Sequence, residues 1–258
     1  MDRPHDAHSR RVADYYDTHT DHYLKTYGPL IQAYRPTRDR DLLDHTIQAT
    51  GMERGQQVLD AGCGVGGPAL YFAQHAGVSI DGVTISAHQV EHAERLAREL
   101  GVENVRFQEG DYHELDALYP ADTFDHVLFL ESLGHAVRPA TVIEAAWTVL
   151  RPGGRIYIKD FFPFDIEDEE LAARHRLVID RIDQHYCYNT LDLVDTLRAL
   201  RRRGFAIDFI RQMPFTPDIT KRFTFEELLD VDLFGDMDEF RVAEWLEIRC
   251  TKPEFPLF

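Results

Sequence analysis

Residues 58–68 read Val-Leu-Asp-Ala-Gly-Cys-Gly-Val-Gly-Gly-Pro. An apolar strand ends near an acid, Asp60, and a glycine loop follows through Gly62, Gly64, Gly66 and Gly67. Pro68 suits the first turn of a helix, where no backbone donor is needed. Glycine lets the chain turn sharply and bring its backbone close to a ligand. The carboxylate ahead of the loop argues against a phosphate cradle, and no Lys follows, which excludes the ATP-type loop. A cationic or zwitterionic nucleotide is the better match for Asp60. Spaced glycines alone are also compatible with a plain strand-to-helix turn, so the downstream pattern decides.

Downstream, strands and helices alternate. Residues 57–61 predict the first strand, 68–75 its helix and 78–83 the second strand. Ser86-Ala-His-Gln89 is a capping box, with a hydroxyl at the N-cap and an amide three positions on. Val90, Ala93, Leu96, Ala97 and Leu100 share one helical face, and Gly101 ends that helix. Residues 104–108, 124–130 and 155–161 predict strands three to five, with a helix over 141–150. Such alternation predicts a parallel sheet with helices on both faces. After 163 the pattern breaks. Residues 168–185 and 189–203 read as helices, and 205–213 and 241–251 as strands. A short helix near 225–231 follows a second capping box, Thr224-Phe-Glu-Glu227. The first fifty residues, rich in Tyr and His, predict short helices.

The chain has 258 residues, enough for one α/β domain with an elaboration, and 44% hydrophobic residues, enough for a full core. No run of about 18 apolar residues is present, so no membrane span is expected. The N-terminus lacks an apolar signal core, which predicts a cytoplasmic location. Cys63, Cys187 and Cys250 are odd in number and widely spaced, fitting reduced thiols rather than a disulfide framework or zinc site, and no metal ligands are assigned. A formal charge of −17 argues against nucleic acid as substrate, because phosphate binding needs a basic surface.

At this point the chain resembles the class I S-adenosylmethionine (SAM)-dependent methyltransferases over residues 55–165. Five ordered features carry the resemblance: Val58-Leu-Asp-Ala-Gly-Cys-Gly64, Gly82-Val-Thr-Ile-Ser86 with Gln89, Gly110-Asp111, Phe124-Asp125, and Leu150-Arg-Pro-Gly-Gly154. The resemblance implies SAM as cofactor, whose ammonium and sulfonium suit Asp60. It implies a cofactor set of Asp60, Gly62, Cys63, Gly64, Gly66, Thr84, Ser86, Gln89, Asp111 and Tyr112. Thr84 stands where the family usually has a ribose-binding acid. That departure is similar to the sterol, tocopherol and prenyl diphosphate C-methyltransferases and to some sugar O-methyltransferases, and leaves the ribose to Ser86 and Gln89. The implied fold is α/β, a Rossmann-like doubly wound seven-stranded sheet. A helical cap is expected over 1–50 and the methyltransferase domain over 51–258, with a substrate-covering helical insertion at about 163–203. A nicotinamide dehydrogenase is the cross-check; its fingerprint wants an acid where Thr84 stands.

Ligands bind beyond the carboxyl ends of the strands. Strand four ends in Leu130-Glu131-Ser-Leu-Gly-His135 and strand five in Lys159-Asp160. Two acceptor chemistries follow from the resemblance. A prenyl diphosphate-type C-methyltransferase would use Glu131, aromatic walls and Asn189 of His185-Tyr-Cys-Tyr-Asn189. Arg35, Arg38 and Arg40 read first as a solvated helix face with no function; their guanidiniums would match a diphosphate in this chemistry, with Mg2+ if the acceptor is a diphosphate. An O-methyltransferase acting on a sugar or polyketide-type natural product would use His135 as base and Asp160 as its orienting partner. The isoprenoid reading leads here, and a non-catalytic SAM-binding scaffold is the third. The partner expected in either enzyme is a small-molecule methyl acceptor, and a homo-oligomer is compatible with the chain.

Overall fold

The computed structural model describes residues 6–235, 237 and 242–255. Two helices come first, α1 (Asp6–Tyr27) and α2 (Asp39–Thr50). The alternating unit follows: β1 (Gln57–Ala61), α3 (Gly67–His75), β2 (Ser79–Thr84), α4 (Ala87–Leu100), β3 (Val105–Glu109), α5 (Leu115–Leu118), β4 (Phe124–Leu130), α6 (Pro139–Val149) and β5 (Leu150–Pro163). Then come α7 (Glu169–Tyr186), α8 (Leu193–Arg203), β6 (Ala206–Gln212), α9 (Thr220–Leu228) and β7 (Ala243–Thr251). The strands form one sheet in the order β3-β2-β1-β4-β5-β7-β6. β1 to β5 run parallel, and β7 lies antiparallel between β5 and β6. This is the expected Rossmann-like α/β sheet.

Parallel strands covered on both faces read as near-continuous apolar runs. Val58, Leu59, Val127, Phe129, Ile156 and Ile158 accordingly have no exposed surface. β1 sits between β2 and β4, where the strand order reverses. The loops after β1 and β4 therefore diverge and open a crevice at the carboxyl edge of the sheet.

Several local expectations need correction. The N-terminal segment forms one 22-residue helix, α1, rather than several short ones. The second capping box does not cap, because Thr224 lies inside α9 and its hydroxyl donates back to the Thr220 carbonyl. Asn189 starts no helix; α8 begins at Leu193, capped by Asp192 accepting from the Asp195 N–H at 2.7 Å. The segment 163–203 divides in two. α7 packs Val178 and Ile182 against Leu233 and Val242, whereas α8 lies on α6 and buries Leu200 in the main core. The final strand begins at Ala243, and Arg241 lies outside the described residues. No helix among the described residues is long and apolar enough to cross a membrane.

Candidate active site

The crevice beyond β1 spans about 840 Å³, part of it open to solvent, and is lined by Asp60, Gly62, Thr84, Asp111, Tyr112 and Ser132, among others. Asp60 is buried, and its Oδ2 has no hydrogen-bond partner. Burial alone pushes its carboxyl up to about 7. Gly62 has φ +90°, and a β-carbon there would stand 2.4 Å from the Ser132 β-carbon, so only glycine fits. Cys63 and Gly64 also line the crevice. Burial raises the Cys63 thiol pKa, so it stays protonated.

Two members of the expected cofactor set lie outside the crevice lining. Gly66 packs against Phe107 and Ala93, where a β-carbon would clash, and serves the start of α3. Ser86 caps α4 by accepting from the Gln89 N–H at 3.1 Å and donates to Asp17 on α1. Thr84 and Gln89 do line it, joined by a 2.6 Å bond from the Thr84 hydroxyl to Gln89 Oε1. Burial pushes Asp111 up, but hydrogen bonds from His113 and Ser9 outweigh it and hold the carboxyl at about 2. The Tyr112 hydroxyl donates to the Ser132 carbonyl at 2.9 Å.

A second cavity of about 920 Å³ adjoins the crevice, and its walls include Tyr23, Tyr27, Phe161, Tyr186, Tyr188 and Trp245. Tyr16, Ile31, Gln32, Glu131 and His135 line both spaces and mark where they meet. Arg222 is the cationic side chain among the described lining residues, and it pairs with Glu226 at 3.2 Å.

His135 occupies the short turn after β4 and is buried. Its Nδ1 lies 3.1 Å from the Cys187 carbonyl, which can only accept, so Nδ1 carries the proton. Nε2 is then an acceptor, and it receives the Tyr16 hydroxyl at 2.9 Å. Burial pulls this imidazole down to about 4, so it is neutral at pH 7. Asp160 does not hydrogen-bond to His135, contrary to the expected orienting role. Its carboxylate accepts from the Tyr188 hydroxyl at 2.9 Å and from the N–H groups of Phe161 and Gly134. It reaches His135 indirectly, since the Tyr188 ring meets the imidazole edge-on at 4.3 Å. Burial raises Asp160 to about 7. Asn189 lines neither cavity; it is exposed and braces the same turn through the Ala136 carbonyl at 2.8 Å.

Glu131 is already engaged. Its carboxylate accepts from the Ala33 N–H at 2.6 Å and the Tyr34 N–H at 3.3 Å, and forms an ion pair with Lys159. Lys159, wholly buried, also donates to Gln32 Oε1 at 2.6 Å and the Tyr34 carbonyl at 2.7 Å. Burial pulls its ammonium down, and Glu131 works against that pull. Arg35, Arg38 and Arg40 line neither space. Arg35 is buried against the Leu30 and Tyr27 carbonyls and Asp39, while Arg38 and Arg40 are exposed and pair with Asp41 and Asp44.

Three participants went unassigned in the sequence: Lys159, Tyr16 and Tyr188. Lys159 had a readable signal, a lone cation in the apolar run Ile156-Tyr-Ile-Lys-Asp-Phe-Phe162, one strand over from Glu131.

A sequence profile described as a methyltransferase domain matches residues 52–194, more than half of the chain. A Streptomyces halstedii methyltransferase, GfsG, is 34% identical over 166 residues, covering 60% of this chain and 59% of that protein. A Saccharomyces cerevisiae sterol 24-C-methyltransferase is 29% identical over 218 residues, covering 78% of this chain and 56% of that protein. The chain thus spans little more than half the length of these curated relatives. Geranyl diphosphate C-methyltransferase from Streptomyces coelicolor A3(2), solved with Mg2+, geranyl diphosphate and S-adenosyl-L-homocysteine, superposes with a TM-score of 0.73 at 17% identity. The match covers 97% of this chain and 100% of that one. At that identity the likeness speaks for the fold.

Proposed function

The chain belongs to the class I SAM-dependent methyltransferases, and from that premise we propose that it methylates a hydroxyl of a largely apolar small molecule, with His135 as general base. The observation that carries this reading is the neutral imidazole whose Nε2 is held as an acceptor where crevice and cavity meet. Asp60, with a buried oxygen lacking a partner, suits the cofactor's ammonium, and the glycine turn at Gly62 leaves room for a close backbone approach. Bound SAM supplies an electrophilic methyl group already activated by its sulfonium.

The protein's contribution is positioning and one proton. The aromatic cavity orients the acceptor and excludes water. His135 Nε2 would take the acceptor O–H in place of the Tyr16 hydroxyl and receive its proton as the oxygen–methyl bond forms and the methyl–sulfur bond breaks, the electron pair leaving on the thioether sulfur. An oxygen acquiring a methyl group becomes strongly acidic, so a weak neutral base suffices. Glu131, committed to Lys159 and two backbone N–H groups, is a poor candidate for that proton.

A second reading, C-methylation of an isoprenoid-type alkene, draws support from the aromatic walls, whose faces stabilise a carbocation. Mg2+ would enter only with a diphosphate acceptor. Methyl-labelled SAM offered with hydroxylated polyketide-type compounds and glycosides, and in parallel with prenyl diphosphates, separates the two. An O-methyl product, with turnover reduced about 10²–10⁴-fold in His135→Ala, is expected. A C-methyl product from a prenyl diphosphate, lost in Glu131→Gln and kept in His135→Ala, would establish the second reading instead.

A further inference from the structure

A cluster outside both cavities joins α1 to α4. His88 and His92 are one turn apart on α4, so their rings share a face. Asp21 of α1 faces them, with its Oδ1 3.5 Å from Nε2 of each. The two rings meet edge-on at 4.7 Å, and the three donor atoms lie within 4.8 Å of one another. A distance of 3.5 Å is long for an N–H···O bond. It is close to the spacing of ligand atoms around a tetrahedral zinc, roughly 3.3–3.4 Å for bonds of about 2.0–2.1 Å.

The surroundings favour the same reading. Asp17, one turn before Asp21, accepts from the Ser86 hydroxyl at the N-cap of α4, which sets the register of α1 over the His pair. Asp21 is 77% exposed, leaving solvent access for a fourth ligand. Arg95 touches the outer Nδ1 of His92. Arg95 can only donate, so here Nε2 carries the proton, and an ion on Nε2 would have to displace both that proton and the Arg95 contact.

We propose that Asp21, His88 and His92 bind one divalent transition-metal ion of the zinc class, with water completing the shell, and that the ion ties α1 to α4. The site is independent of the acceptor chemistry. α1 carries Ser9, Val12 and Tyr16 over the crevice, so a bound ion holds that roof in place.

The test is titration of the metal-free full chain with Co2+ alone, read by the visible absorption of the four-coordinate ion. One ion per chain is expected. The double variant H88A/H92A should lose the signal while keeping its thermal melt. Loss of a direct ligand should exceed the roughly 10–100-fold penalty known for outer-sphere partners. Asp21→Asn, at an exposed position, gives a weaker site should the double variant fail to fold, and Arg95→Ala a tighter one. Hydrogen exchange supplies the second readout: Zn2+ should slow the α1 amides in the natural chain and leave them unchanged in Asp21→Asn. Several weak equivalents that survive H88A/H92A, or α1 exchange indifferent to Zn2+, would overturn the proposal.

Discussion

Two carboxylates at one sheet edge meet opposite fates, and each makes a prediction. Glu131 is neutralised by a buried cation. Lys159→Met leaves that carboxylate unpaired and should cost about 3–5 kcal/mol in urea unfolding, whereas Glu131→Gln combined with Lys159→Met should cost far less. Equal losses in single and double variants would mean that the pair is not coupled. Asp60 has no such partner, and its pKa of about 7 against an ordinary 3.8 fixes the sign of its pH effect. The penalty for a charged Asp60 is absent below pH 4, grows as pH rises to 7, and is complete above it. Asp60→Asn should therefore stabilise the ligand-free chain at pH 8, yet weaken SAM binding by about 1.5–3 kcal/mol. Calorimetry showing unaltered SAM affinity would remove Asp60 from the site. Asp60 was legible because strand, acid and loop are contiguous. Lys159 was not assigned because its partner lies on another strand and only the β4–β5 register brings them together. Arg35 reads with Arg38 and Arg40 as a solvated helix face, yet it alone is buried, because its partners are the Tyr27 and Leu30 carbonyls, which no side-chain pattern reveals.

Among the elements, α1 is the one whose single-helix form differed most from expectation, because its hydrophobic side is made of tyrosines, which carry a weak periodic signal. It is pinned by polar bonds to three separate parts of the sheet edge, Ser9 to Asp111, Tyr16 to His135 and Asp17 to Ser86. Tyr23 stacks on Phe225 of α9 at 4.1 Å. None of these contacts belongs to the sheet's own ladder. Removing residues 1–27 should leave a chain with a cooperative melt and a far-ultraviolet circular dichroism lowered only by the helix removed, but with methyl transfer lost. Normal turnover in the truncated chain would show that α1 is not needed to close the site. The turn after β4 was readable only as a rim of ionisable groups. Which of them faces the cavity depends on Tyr188 and Cys187, more than fifty residues later, whose approach requires Gly134, since a β-carbon there would sit 2.0 Å from the Tyr188 ring.

For the molecule as a whole, the doubly wound sheet was legible because alternating strands and helices admit few arrangements, whereas the antiparallel place of β7 between β5 and β6 was not. Buried charge sets the acid response. His126, buried beside Gln56 away from both cavities, is held near pKa 4 by burial. An unfolded histidine titrates near 6.5, so stability is lost as pH falls from 6.5 towards 4, by at most about 3 kcal/mol for this ring. Asp60 and Asp160 run the other way over this window and flatten the profile. His126→Gln should lose less stability than the natural chain between pH 6.5 and 4 in denaturant titrations; parallel profiles would show that the ring is not kept neutral. One last property follows from the tyrosines of α1. Tyr16, Tyr23 and Tyr27 line the aromatic cavity, and the same helix roofs the crevice beyond β1. The two spaces therefore meet under one helix, and an acceptor seated in the cavity would stand across the inner mouth of the crevice. Turnover should obey a compulsory order, nucleotide first on and last off. S-adenosylhomocysteine should then compete with SAM yet inhibit non-competitively against the acceptor, and the acceptor alone should give no heat of binding.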